Sequence, residues 1–119
     1  MAVHYGEAMI PHFFSSIVLW LALLHGASAT ADGFSTTYWE RACRTCYEID
    51  PIDRAFIGRR PSWERMGPWG AAEVAGAALL AQEMRRHPRT RKWFWVPQIV
   101  LSTVHVEATI HNYVRRYPR

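Results

Sequence analysis

Apolar residues in this chain fall into three blocks, and inside each block the polar residues recur at helical steps. The third block, 93–114, shows it best. Gln98, Ser102, His105, Thr109 and Asn112 follow at steps of 4, 3, 4 and 3, which puts them on one stripe of a helix. Glu107 and His111, four apart, form a second and shorter strip on the same helix. An apolar helix of about 20 residues crosses a hydrocarbon core of about 30 Å. Polar groups are costly there, so such stripes are expected to face protein or water.

The first block, 10–31, carries its own stripe, His25, Ser28, Asp32 and Ser35, which runs past the apolar residues toward Glu40. Tyr38 and Trp39 suit the interface where that helix leaves the membrane. The second block is rich in small residues. Gly67, Ala71 and Ala75 are spaced by four, as are Ala72 and Gly76, a spacing that lets membrane helices approach closely. Ser62 is placed to cap this helix, Pro68 to sit in or kink its early turns, and Glu73 falls inside it. Between the first two blocks, Asp50-Pro51-Ile52-Asp53 reads as a helix start, with an acidic cap and proline at the first position. The pattern therefore predicts one all-α domain over 1–119. It comprises three transmembrane helices, at about 10–37, 63–84 and 93–114, with connectors 38–62 and 85–92. One short amphipathic surface helix, ending near Ile57, lies in the first connector.

Composition changes this picture little. Half of the residues are hydrophobic, with six Trp and five Tyr, and the net charge is +4. The slightly negative mean hydropathy comes from 14 Lys and Arg that lie between and after the blocks. No basic face or binding motif accompanies the charge, so no nucleic acid is expected as a partner. The lipid bilayer is, with partner membrane proteins or further copies of the chain. The first block would also serve as a signal peptide ending at Ala27-Ser28-Ala29, but residues 1–9 lack the positive charge of one. A cleaved first block would leave 30–119 as a small soluble helical domain. Counting Lys and Arg gives nine on the side of the first connector and tail, against five on the other. The positive-inside rule then orients the chain with its N-terminus out and C-terminus in.

With three spans in series, the first and third run parallel. His25 and Asp32 are seven apart, as are His105 and Asn112. Depth along each span pairs His25 with His105 and Asp32 with Asn112, and puts Glu73 toward the Asp/Asn layer. Asp32, Ser35-Thr36-Thr37, Glu48-Ile49-Asp50-Pro51-Ile52-Asp53-Arg54 and a last span ending in Asn112 resemble a family of small three-span bacterial membrane proteins of unknown function. That family reads Asp…Thr…Glu-x-Asn-Pro-x-x-Arg, and the resemblance covers about 28–114. The chain departs from it in having Asp50 where Asn is usual and Glu73 where a basic residue is expected. The resemblance implies architecture and no activity.

Several chemistries compete for the polar residues. Asp32, Glu73 and Asn112, with Gln98, Ser102 and Thr109 along the seam, would make a proton or ion site, or simply an interhelical hydrogen-bonded seam. His25 and His105 are candidate axial ligands to haem or another tetrapyrrole. Glu107 and His111 are candidate metal ligands. Cys43 and Cys46 form a lone Cys-x-x-Cys, a disulfide or redox pair. A closed zinc site would need a second pair, and Tyr47 stands where haem attachment needs His. No catalytic triad, phosphate loop or dinucleotide fingerprint is present. Two functions follow: a non-enzymatic membrane subunit or scaffold packing against partners, or a membrane component handling protons, ions, haem or metal through its His/Asp/Glu cluster.

Overall fold

In a computed structural model of the chain, which describes residues 15–42 and 51–114, all regular structure is helical. Helices α1 (Ser16–Ala42), α2 (Pro51–Ile57), α3 (Trp63–Arg86) and α4 (Val96–Val114) follow in order, with a single 3-10 turn, Arg91–Trp93, before α4. The expected span at 10–37 begins outside the described residues and continues five residues further, to Ala42. Its serines and threonines bond carbonyls of their own helix, Thr30 to Gly26 and Thr37 to Gly33, so they do not end it. The third helix starts at Val96 instead of residue 93. Thr90, through its backbone and its hydroxyl on the Met84 carbonyl, folds the preceding residues into a tight turn. Pro97 then occupies the first turn of α4, where its missing N–H costs nothing.

α1 and α3 run antiparallel. Ser15 meets Gln82 at one end, His25 meets Glu73 midway, and Trp63 lies on Gly33 at the other end. α1 and α4 run parallel along the longest interface in the bundle. Val18, Ala78 and Ala81 make a small apolar core near the α3–α4 turn, with Ala22 and Phe94 against it. Phe94 in turn lies under the Arg85 guanidinium, 5.1 Å from its ring centre.

The short helix α2 has the bounds its start signal predicts; the side chains of Pro51 and Asp53, and all of Asp50, lie outside the described residues. It ends at Gly58, whose φ of +86° is the left-handed conformation that closes a helix, with its N–H on the Arg54 carbonyl. Phe56 stacks on Trp69 at 4.1 Å and docks α2 against α3, while Ile52 and Phe56 keep more than half of their surface exposed. Ser62 has the extended backbone of a cap and its carbonyl accepts from Arg65 and Met66. Its hydroxyl, expected to cap α3, makes no such bond.

Among the described residues α1 alone, over Ser16–Arg41, is long and apolar enough to cross a membrane by length and composition. α3 carries six charged residues and α4 is interrupted by its own polar stripe. The small-residue spacing of α3 does not serve the bundle interior: Gly67, Ala71, Ala72, Ala75 and Gly76 are all exposed. A Cβ added at Gly67 or Gly76 would meet nothing within 4 Å. The buried alanines of α3 are Ala77, Ala78 and Ala81, one strip further round the helix, and Ala78 and Ala81 pack with Val18 of α1.

Candidate functional site

The middle of the bundle is polar. α1 supplies His25 and, two turns on, Asp32; α3 supplies Glu73; α4 supplies Gln98 and His105. His105 is held at both ring nitrogens, Nδ1 at 2.7 Å from Asp32 Oδ2 and Nε2 at 2.6 Å from Glu73 Oε1. The same Glu73 oxygen lies 2.8 Å from His25 Nε2. The far nitrogen of His25, Nδ1, bonds the side-chain oxygen of Gln98. One continuous chain thus runs Asp32–His105–Glu73–His25–Gln98 across three helices. His25 and Gln98 are fully buried, whereas Asp32, Glu73 and His105 retain about a fifth of their side-chain surface.

The ring centres of His25 and His105 are 5.5 Å apart, so the two histidines do share a layer. The backbone register that brings them together differs from the expected one by one heptad. His25 faces Gln98 and Asp32 faces His105, each 73 positions apart, instead of His25 facing His105 and Asp32 facing Asn112. The reason is polar satisfaction. In the expected register Gln98 would stand opposite Val18, a buried amide with no partner. In the observed register all three rungs of α4 meet polar groups, because Asn112 donates to Ser35 Oγ at 3.0 Å and to Thr36 Oγ1 at 3.5 Å. Glu73 accordingly sits in the histidine layer and not in an Asp/Asn layer.

Other predicted positions stand apart from this chain. Thr109 bonds the carbonyl of His105 on its own helix. Ser102 is buried, and its hydroxyl has no partner among the described residues; neither does the Gln98 amide nitrogen. Glu107 and His111 are exposed and do not join the cluster. Cys43 and Cys46 lie outside the described residues. The tetrapyrrole arrangement is not present: the Glu73 carboxylate occupies the space between the facing nitrogens, where a porphyrin plane would have to pass. Thr36 and the Gly33–Trp63 contact were not singled out by the pattern. Thr36 sits beside the Ser35 rung, and its reach to Asn112 depends on how the two helices cross.

Chemically, the cluster gathers two carboxylates and two imidazoles. His25, Glu73 and His105 offer three ligand atoms within 4.8 Å of one another, the one such group among the described residues. Two negative charges in a half-buried site call for a compensating cation, either as extra protons on the rings or as a bound ion. No protein family, characterised protein or solved structure matches the chain.

Proposed function

We propose that this chain is a small integral membrane protein that handles a cation at the polar centre enclosed by its three long helices. The observation that carries the proposal is an inverted distribution of polarity. The buried residues include His25, Ser28, Ser35, Thr36, Gln98 and Ser102, while large apolar side chains point outward, Trp20 at 70% exposure, Leu23 at 64% and Ile110 at 57%. A soluble core helix of α1's length would be mostly buried, yet only 22% of its apolar window is. In lipid that arrangement is favourable, since apolar side chains need no cover and polar groups need partners. α3 and α4 cross with α1 in this reading, their polar atoms masked against it. Aromatic residues gather at both ends, Tyr38, Trp63, Trp69 and Tyr113 at one and Trp93 and Trp95 at the other, as interfacial belts do. The motif resemblance over 28–114 points the same way, to a bacterial inner membrane, and the nine-to-five bias of Lys and Arg orients the C-terminus inward.

A second reading is a non-enzymatic subunit that packs against partner membrane proteins or further copies of itself. It is favoured by an open groove of about 690 Å³ between α1 and α3, lined by small residues including Gly26, Gly67, Gly70, Ala71 and Ala75.

Two measurements test the pair. Alkaline extraction of membranes is expected to leave the chain in the pellet; recovery in the soluble fraction overturns both readings. Vesicles reconstituted with the protein are expected to show cation binding or flux that Glu73→Gln abolishes. Identical behaviour of the two proteins would leave the subunit reading standing alone.

A further inference from the structure

We infer that His25, His105 and Glu73 bind a first-row divalent transition-metal ion of the zinc class, with Asp32 and Gln98 orienting the two rings. The inference rests on the cation-handling reading above and names the cation. It starts from the way the rings are turned. A carboxylate oxygen and an amide oxygen only accept hydrogen bonds. Asp32 Oδ2 therefore takes the Nδ1–H of His105, and the Gln98 oxygen takes the Nδ1–H of His25. A neutral ring protonated at Nδ1 has its lone pair on Nε2. With no ion bound, the Glu73 oxygen can only accept, so the Nε2–H of each ring donates to it; a divalent ion that displaces those two protons meets both Nε2 lone pairs and the carboxylate oxygen at one point. Three electron-pair donors thus converge, each delivered by a different helix.

This is the arrangement a metal site requires. A ligating imidazole gives its other N–H to a carboxylate, carbonyl or water, which sets its tautomer and holds its plane. Here both rings have such a partner, one of them charged. Two imidazole nitrogens and one carboxylate oxygen are borderline donors, suited to zinc, iron, nickel or copper; calcium and magnesium call for oxygen ligands throughout. Zinc bonds of 2.0–2.1 Å place tetrahedral ligand atoms about 3.3 Å apart. The present separations of 2.6 and 2.8 Å need to open by about 0.7 and about 0.5 Å, within the reach of a Glu side chain. Three protein ligands leave a coordination position free, as in sites that exchange or activate a ligand and unlike closed structural ones. That position opens on the side of Glu73 and His105, which keep 21% and 17% of their surface, whereas His25 is sealed.

The test uses the full-length chain in mild detergent, stripped with a chelator and titrated with Co²⁺, whose d–d absorption reports nitrogen and oxygen ligands. The expected result is one Co²⁺ per chain with a visible band that Zn²⁺ displaces. Glu73→Gln and His105→Ala abolish the band. Asp32→Asn keeps it and weakens the affinity about 10- to 100-fold, the effect of losing an orienting partner. Glu107→Gln and His111→Ala leave it unchanged. If His105→Ala loses its helical circular dichroism, Glu73→Gln, which keeps the side-chain size, decides. Absence of the band in a helical wild-type protein overturns the assignment, as does a band that survives Glu73→Gln. A chain that stays in alkaline-washed membranes but binds no Co²⁺ loses the metal and keeps the membrane reading. A chain that binds Co²⁺ but is extracted by alkali loses the membrane and keeps the metal.

Discussion

α1 presents two different faces to its two neighbours. Toward α4 it offers His25, Asp32, Ser35 and Thr36, each with a named polar partner, whereas toward α3 it offers Val18 and Ala22 against Ala78 and Ala81. A hydrogen-bonded rung is satisfied in one register and orphaned in the next, so the α1–α4 face specifies depth. An alanine-lined face tolerates sliding and specifies only distance. Two polar groups interrupt the α3 side: Gln82 accepts from the Ser15 N–H at the end of the interface, and Glu73 locks the face to the polar seam.

Removing a rung tests that contrast hardest at His105. Asp32→Ala leaves the Nδ1–H of His105 without its charged acceptor, and a loss of about 3 kcal/mol is expected in unfolding of the detergent-solubilised protein. Gly33→Val comes next. A Cβ there would stand 2.7 Å from the Trp63 ring, and the resulting overpacking is expected to cost about 1–3 kcal/mol and to displace Trp63, seen as a shift in tryptophan fluorescence. Asn112→Ala removes the outermost rung; about 1 kcal/mol is expected, and a double-mutant cycle with Ser35→Ala should show coupling. At the small end, Ser102→Ala deletes a buried hydroxyl that bonds nothing among the described residues and is expected to be neutral or stabilising by up to about 1 kcal/mol. A clear loss there would mean that the seam depends on a group bonded to that hydroxyl.

How much of this could be read beforehand follows from the same contrast. The helices, the stripes and the list of polar residues on them are visible as spacings, because a 3.6-residue period needs no tertiary information. The register is not. Both stripes repeat every seven residues, so sliding α4 by a heptad restores the same pattern, and only the partner for Gln98 separates the two alignments, since Asn112 meets a polar group in either. Glu73 was visible as an acid in an apolar helix, but its depth depended on that register. The small-residue spacing at Gly67, Ala71 and Ala75 identified a face without saying what meets it; among the described residues these three stay exposed along the open groove between α1 and α3. Ser62 shows a different gap: the cap position was legible from residue type, but the side-chain bond expected with it is not made.

Because each of the three long helices delivers one donor, the order of synthesis acquires a meaning. His25 emerges first and Glu73 second, and the two can meet as soon as α1 and α3 pair as a hairpin. His105 arrives last, with α4, and only then does the trio exist. Occupancy of the centre would accordingly mark a chain whose last helix has joined the others, so a truncated copy would be distinguishable by what it fails to retain.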